Sequence, residues 1–215
     1  MLLSLNKTCK YKDRIEILIL LDEDDKEISN YLEIINNKFF NSLKFNLFKI
    51  NLSTHAIRNN YLAKKCSGEI IFPINDDMIF VSNNWDIEID QEFSKLNMKN
   101  PFCLWIKSNI KYQYLHCDYP IINRSWYEKL KYVGSENFNF WYLDTWICDL
   151  SMRSGLYLVT PNIIVDQLSA NRIKTEVDNT HLRNINSSKG EKDLENWNKK
   201  KKERILHYKF LKKKL

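Results

Sequence analysis

The chain has 215 residues, 44% of them hydrophobic and 13% aromatic, which predicts a folded globular protein and excludes a disordered one. Its best apolar stretch, Ile15 to Leu21, is too short to cross a membrane. The net charge of +6 is concentrated in residues 187–215, which hold 11 Lys and Arg against 4 Asp and Glu and leave 22 against 23 elsewhere. The first 186 residues therefore carry no electrostatic signature of a nucleic-acid-binding surface.

The cysteines and the N-terminus indicate a cytoplasmic protein. The N-terminal residues lack the basic start and long apolar stretch of a signal peptide. The five cysteines contain no C-x-x-C pair, so we expect reduced thiols and no zinc site. They are Cys9, Cys66, Cys103, Cys117 and Cys148.

The first third of the chain alternates between strand and helix patterns. The predicted strands are residues 14–21, 45–52 and 70–74, and the predicted helices are residues 28–40 and 56–66. This alternation favours a mostly parallel sheet covered by helices.

The remaining chain is less regular. The predicted helices are residues 85–96, 124–130, 143–154 and a surface helix within 189–215. The predicted strands are residues 102–107, 111–116, 156–160 and 163–166.

Asn75-Asp76-Asp77 follow the apolar strand 70–74. Asn and Asp favour turns, which is one interpretation of this segment. Paired carboxylates at the end of a strand are also suitable oxygen ligands for Mg²⁺ or Mn²⁺ on a diphosphate. The residues themselves leave both interpretations open.

The wider pattern resembles a known family. The segment from Asn60 to Met78, followed by Trp85-Asp86, resembles the central block of family 2-like glycosyltransferases of GT-A fold, in which a helix ending near Gly leads into a strand capped by a D-x-D or D-D motif. The strand ending at Asp22 resembles the family's second strand. The run Trp141 to Trp146 resembles the motif that carries the catalytic carboxylate.

The resemblance covers roughly residues 1–182 and implies a GT-A-like three-layer α/β sandwich with a mostly parallel central sheet. We expect a glycosyltransferase domain over residues 1–186 and a basic helical tail over 187–215. The implied reaction is an inverting, metal-dependent transfer from a UDP-, GDP- or dTDP-sugar to a hydroxyl of a glycan or lipid-linked acceptor, as in polysaccharide biosynthesis. Because no Q-x-x-R-W element is present, we expect non-processive transfer.

The resemblance also implies roles for individual residues. Asp77 would bind Mn²⁺ or Mg²⁺, and Asp76 would hold the ribose or the metal. Asp22 would contact the base of the donor nucleotide. Asp144 would be the general base that deprotonates the acceptor hydroxyl.

Further residues are candidates for ligand contacts. They are His116, Arg124 and Trp126 for the acceptor, and Arg172 with Lys174 in a late loop for the donor phosphates.

Structural interpretations compete with several of these roles. Asp22 can cap the following helix. Asp144 can stabilise a helix dipole, and Asp149 is the second choice for the base. His116 can be structural.

Two features depart from the family pattern. The family's first strand has no counterpart, so we expect an N-terminally truncated domain. Asp166-Gln167 stand where the family often has a metal-binding His, and His181 comes later. An alternative function is therefore a catalytically inactive, GT-A-like protein that binds a glycan or a partner.

The basic tail also has two interpretations. An amphipathic basic helix can lie on an anionic membrane surface. Alternatively, a solvated helix can pack Trp197 and Leu206 on the domain. Binding of nucleic acid through the tail is disfavoured because no reader motif is present.

Overall fold

A computed structural model of the chain describes residues 1–108, 117–167 and 189–213. The α-helices of these ranges are α1 (Leu2–Thr8), α2 (Ile28–Ile35), α3 (His55–Lys65), α4 (Trp85–Ser94), α5 (Arg124–Leu130), α6 (Leu143–Ser154), α7 (Lys189–Lys199) and α8 (Lys201–Lys212). The strands are β1 (Glu16–Leu21), β2 (Lys44–Lys49), β3 (Ile70–Ile71), β4 (Met78–Phe80), β5 (Cys103–Ser108), β6 (Ile121–Asn123) and β7 (Tyr157–Gln167).

The first strand–helix–strand unit confirms the sequence prediction. β1 and β2 pair in parallel, from Glu16 opposite Lys44 to Leu21 opposite Lys49. The connection runs through α2, as a parallel crossover requires. In the described part of the chain this pair forms a two-stranded sheet of its own.

The larger sheet corrects the prediction of a mostly parallel arrangement. Among the described residues it has five strands in the order β3-β6-β5-β7-β4. β5 and β7 pair in parallel, whereas the other three pairings are antiparallel. Two strands that create antiparallel pairs, β4 and β6, have three residues each. Such short segments show no measurable alternation of apolar and polar residues, so the sequence pattern missed them.

The pairings give β3, β5 and β7 the same direction. Their carboxyl ends therefore lie at one edge of the sheet, which we call the carboxyl edge. The last residues of these strands are Ile71, Ser108 and Gln167. In sheets of this kind, ligand crevices form at the carboxyl ends of strands.

Two other elements differ from their predictions. The predicted helix 28–40 ends at Ile35, and a 3₁₀ turn follows at Lys38–Phe40, where the Asn37 side chain accepts a hydrogen bond from the Phe39 amide. The two predicted strands 156–160 and 163–166 form the single strand β7, with an irregularity between Thr160 and Ile164 in its pairing with β5. Pro161 lies in this irregularity, where no ladder hydrogen bond is required of it.

The C-terminal helices pack on the rest of the domain. Leu211 of α8 is buried at 1% exposure, and Arg204 at 5%. The Arg204 guanidinium lies over the Trp197 ring, 3.6 Å from its centroid. Leu206 is 65% exposed. The Trp197 ring stacks on Tyr142, with 5.4 Å between the ring centroids, so of the two tail residues expected to pack, Trp197 does so and Leu206 does not.

No helix of the three described ranges is long and apolar enough to span a membrane.

Candidate functional site

The two adjacent carboxylates lie in a turn that follows β3. The amide of Met78 donates to the Asn75 carbonyl at 3.3 Å, which closes a turn with Asp76 and Asp77 at its centre. Asp76 is exposed and Asp77 is half-buried. The turn interpretation of the sequence is thus correct, and it is compatible with ligand binding because the turn stands at the carboxyl edge.

These carboxylates differ in their surroundings. Asp76 faces the start of α2, where it raises the pKa of Tyr31 together with Asp25 and Glu27, although burial of the tyrosine is the largest cause. One carboxylate oxygen of Asp77, Oδ1, is fully buried. The pair therefore offers one outward and one inward carboxylate.

The carboxylates of Asp76 and Asp77 suit a divalent ion whose other ligands are phosphate oxygens and water. Among the residues that the structure describes, no group of three or more His, Cys, Asp and Glu side chains could hold a metal alone. Mg²⁺ is usually bound by one or two carboxylates plus substrate phosphates and water. Asp76 and Asp77 supply that number and type of oxygen ligand.

The end of β7 lies beside this turn. Met78 pairs with Gln167 and Ile79 with Asp166. The position at which the family resemblance suggested a third ligand is therefore adjacent to the carboxylate pair, with Asp166 half-buried there.

A second side-chain pair marks the same edge. Ser108, the last residue of β5, lies opposite Val165 of β7. Its hydroxyl donates to Asp118 Oδ2 at 2.7 Å. Asp118 also faces the buried thiol of Cys117, whose pKa is raised to about 12 mainly by burial.

Asp22 follows β1 and forms an ion pair with α3. The Arg58 guanidinium nitrogen Nη2 lies 2.7 Å from Asp22 Oδ1 and 2.9 Å from Oδ2. Arg58 also donates from Nε to the Leu52 carbonyl. The two charged side chains remain 39% and 35% exposed. The pair therefore joins the ends of β1 and β2 while both groups stay accessible to a ligand.

His55, the first residue of α3, connects the separate parts. Asn75 and Asp144 raise the pKa of its imidazole and Arg58 lowers it, but none of these effects is as large as that of burial. Its amide donates to the Asn139 carbonyl at 3.2 Å. Burial is the largest cause of a lowered pKa, so the imidazole is neutral at pH 7.

Asp144 lies in the first turn of α6 and is half-buried. Its Oδ1 accepts a hydrogen bond from the Thr145 amide at 2.7 Å. It thus occupies the position that stabilises a helix dipole. Asp144 also acts to raise the pKa of the His55 imidazole, against the larger effect of burial.

Asp149, the second choice for a base, is held by two arginines. Arg153 Nε lies 2.8 Å from its Oδ1, and Arg204 Nε lies 3.2 Å from its Oδ2. Only 12% of the Asp149 side chain is exposed. These contacts assign Asp149 to the packing of α8 on α6.

Two predicted acceptor contacts have structural roles in the fold. The Arg124 guanidinium donates to the carbonyls of Cys66 and Gly68 before β3, at the opposite end of this strand from Asp76. Trp126 is fully buried at 0% exposure. Neither side chain presents its polar or aromatic surface to a ligand at the carboxyl edge.

The other predicted ligand contacts lie outside the described residues. They are His116, Arg172 and Lys174, together with the predicted strand 111–116 and His181.

The sequence interpretation missed three residues of this region, namely His55, Arg58 and Asp118. Thr54 offered one signal, because Thr before an apolar helical pattern predicts a helix N-cap. In the structure its hydroxyl accepts a hydrogen bond from the Ile57 amide. The N-cap places His55 in the first turn of α3, facing the loop that holds Asn139. No local pattern indicated Asp118.

Comparison with solved structures identifies the architecture. A mannosyltransferase from Pyrobaculum calidifontis, solved with GDP-mannose and Mn²⁺, superposes with a TM-score of 0.64 at 10% identity, over 80% of this chain and 53% of that one. S. aureus TarS, residues 1–349, gives 0.56 at 15% identity, over 79% and 56%. The same protein with UDP-GlcNAc gives 0.56 at 12% identity, over 89% and 64%.

The chain has a GT-A-like glycosyltransferase fold. It spans little more than half the length of the first solved structures that it matches. At 10–15% identity the likeness shows the fold alone. No protein-family model matches this chain, and no curated protein does.

Proposed function

We propose that this protein transfers a sugar from a nucleotide-sugar donor to a hydroxyl of a glycan or lipid-linked acceptor, one sugar at a time and with inversion. The observation that carries the proposal is the position of the Asp76–Asp77 turn, which lies beside Asp166 at the carboxyl ends of β3 and β7. Two segments distant in sequence, the turn after β3 and the end of β7, thereby meet at the carboxyl edge of a GT-A-like fold.

The donor nucleotide would lie along β1 and α3. The Asp22 carboxylate accepts hydrogen bonds from a base, and Arg58 orients that carboxylate through its ion pair. Arg58 is itself 39% exposed, so it also offers a positive charge to the diphosphate. This arrangement suits a nucleoside diphosphate sugar better than a sugar phosphate, which has no base.

Asp76 and Asp77 would hold a divalent cation, Mn²⁺ or Mg²⁺, together with the donor diphosphate. When bound, the cation neutralises charge that develops on the leaving diphosphate. Asp166 is the neighbouring carboxylate, since its strand pairs with the residues that follow Asp77.

Asp144 would accept the proton from the acceptor hydroxyl. The hydroxyl oxygen then bonds to the anomeric carbon as the bond to the diphosphate breaks on the opposite face, which inverts that carbon. The neutral imidazole of His55 beside Asp144 brings no positive charge that would weaken its basicity.

The test is donor turnover with GDP-mannose and UDP-GlcNAc, the sugars bound by the solved neighbours, in the presence of Mn²⁺. We expect Asp77→Asn and Asp144→Asn each to lower kcat by about 10²- to 10⁴-fold, in line with the loss of a metal ligand or a general base. Asp90→Asn is the matched control, because Asp90 pairs with Arg14 at the surface. Equal activity in all three variants would refute the proposal.

A GT-A-like protein without catalytic activity that binds a glycan or partner is the alternative. It is favoured by the same ion pair, because Arg58 already binds both oxygens of Asp22. Calorimetric titration with UDP and GDP in Mn²⁺ separates the two functions. Nucleotide binding at micromolar levels supports transfer, whereas its absence at millimolar levels supports the alternative.

We further propose contact with an anionic membrane through one face of α8. Leu206 and Phe210 are 65% and 46% exposed on this face, and Lys202 and Lys209 lie at compatible helical positions. A lipid-linked acceptor would then reach the enzyme in two dimensions.

Co-sedimentation with phosphatidylglycerol vesicles tests this contact. A Leu206→Ser, Phe210→Ser double variant keeps the buried residues Arg204 and Leu211 and should lose most binding. Lys192→Ser, an exposed change on α7, is the control. Equal sedimentation of both variants would exclude the membrane contact.

A further inference from the structure

Asp193, in the C-terminal helix α7, accepts hydrogen bonds at both of its carboxylate oxygens. Its side chain is fully buried at 0% exposure. Oδ1 accepts hydrogen bonds from the Asn139 amide at 2.8 Å and from Asn139 Nδ2 at 3.0 Å. Oδ2 accepts from the amides of Phe140 and Trp141, each at 3.0 Å. Asp193 thus binds the backbone of residues 139–141.

Residues 139–141 lead directly into α6. Tyr142, the N-cap of that helix, has a left-handed backbone with φ of 71°, which costs free energy in a residue with a side chain. Asp144 is the second residue of the helix. The orientation of the first turn of α6 therefore depends on the backbone that enters it.

Two more contacts hold residues 139–141 in place. The Asn139 carbonyl accepts the His55 amide hydrogen bond from α3. The Trp141 ring lies against Gly190, where an added Cβ would come within 1.9 Å of the ring carbon Cζ3. The segment is thus held between α3, which carries His55, and α7.

We propose that Asp193 is a positioning residue that fixes the backbone of residues 139–141 and thereby sets the orientation of Asp144. This inference rests on the proposed role of Asp144 as the base. A buried charge is stable here because four N–H groups satisfy it. Three of these donors are consecutive backbone amides, so a single carboxylate determines the path of the chain. The C-terminal segment is then part of the catalytic architecture, whatever its outer face contacts.

The test is Asp193→Asn, which keeps the size of the side chain but places an amide NH₂ against N–H donors. We expect kcat to fall about 10- to 100-fold, the loss that small misplacements of a catalytic group produce. Donor affinity, measured by calorimetry, should stay within about twofold, since the donor residues Asp22 and Arg58 lie elsewhere. Glu195→Gln is the control, because Glu195 is 65% exposed two residues along the same helix.

Amide hydrogen exchange supplies a readout that does not depend on activity. Exchange in residues 139–145 should be faster in Asp193→Asn and unchanged in Glu195→Gln. Asn139→Ala removes one side-chain donor and leaves the three backbone donors, so it tests the same effect in milder form if Asp193→Asn does not fold. Its kcat should fall severalfold with unchanged donor affinity.

Two results would overturn the proposal. One is a wild-type kcat in Asp193→Asn, and the other is a parallel loss of kcat and donor affinity, which a general loss of structure would cause. A wild-type protein that binds a donor and transfers no sugar would refute the proposed function instead. In that case the exchange rates of residues 139–145 alone decide whether Asp193 fixes the backbone of residues 139–141.

Discussion

Each of the two sides of the candidate site contains an ion pair, and the two pairs differ in their exposure to solvent. On the β1–α3 side, Asp22 and Arg58 are 35% and 39% exposed. On the α6–α8 side, Asp149 and Arg204 are 12% and 6% exposed, and Arg204 also lies over Trp197. An exposed pair contributes little to stability, whereas removing one partner of a buried pair leaves an uncompensated charge.

This difference separates a ligand-binding side from a structural side. Exposed charges can exchange their partner for a ligand at low cost, because water already solvates them. Buried charges must keep their partners. We therefore expect mutations on the first side to affect donor binding and mutations on the second side to affect folding.

The largest effect is expected for Arg204→Leu. The change removes the ion pair with Asp149 and the stacking on Trp197, so the free energy of unfolding should fall by about 3 kcal/mol. Urea denaturation followed by tryptophan fluorescence measures it. The matched control is Arg153→Leu, which removes the other arginine bound to Asp149 but is 47% exposed. A loss below about 1 kcal/mol in Arg204→Leu would contradict the structural role of the buried pair.

A smaller effect on stability, and a distinct one on binding, is expected for Arg58→Leu. The exposed pair should contribute no more than about 1 kcal/mol to stability. Affinity for UDP or GDP should fall about tenfold, since one charge-assisted contact is lost. Titration calorimetry measures the affinity, and Arg58→Lys, which keeps the charge, should lose less. An unchanged affinity would place the donor elsewhere.

Two histidines should make stability depend on pH. Burial lowers the pKa of His207 below its ordinary value of 6.5, and the same holds for His55. As the pH falls through 6.5, the unfolded chain binds these protons first, so the free energy of unfolding falls. It stops falling once the folded-state pKa is passed.

Urea denaturation between about pH 7.5 and pH 5.5 measures this dependence, in a range where carboxylates titrate little. His207 hydrogen-bonds the Tyr132 hydroxyl and faces Glu203 on its own helix. His207→Gln should flatten the profile in part, and the His55→Gln, His207→Gln double variant should flatten it further. An identical profile in the double variant would be inconsistent with both lowered pKa values.

The smallest effect is expected for Arg14→Ala. Arg14 and Asp90 form an ion pair with 58% and 38% of their side chains exposed. The free energy of unfolding should change by at most about 0.5 kcal/mol, and high salt should remove that difference. A loss comparable to that of Arg204→Leu would show that exposure does not divide these ion pairs.

The sequence predicted the elements whose signals are local. α6 was predicted with both of its ends, because an apolar helical pattern stops at Gly155, which adopts a left-handed φ of 69°. β1, β2 and α3 were predicted within a few residues for similar reasons. The carboxylate turn was also identified, since Asn75 begins a polar cluster after an apolar strand.

Long-range pairing could not be predicted in the same way. The short strands β4 and β6 turn the larger sheet into a mixed one, and their three residues carry no periodic pattern. Arg124 and Trp126 have residue types that suit ligand contacts. Whether such residues face a ligand or the core depends on the packing of α5.

By itself, the sequence determined the elements β1, β2, α3 and α6 and the position of Asp76 and Asp77 after an apolar strand. Only the tertiary structure decided which groups meet, because the fold places the carboxylate turn beside Asp166 and joins His55 to the loop before α6. It also decided the role of the C-terminal segment, whose composition indicates a basic surface helix. Burial of Asp193, Arg204 and Leu211 makes this segment a structural part of the domain, because burial depends on the surfaces that meet rather than on local composition.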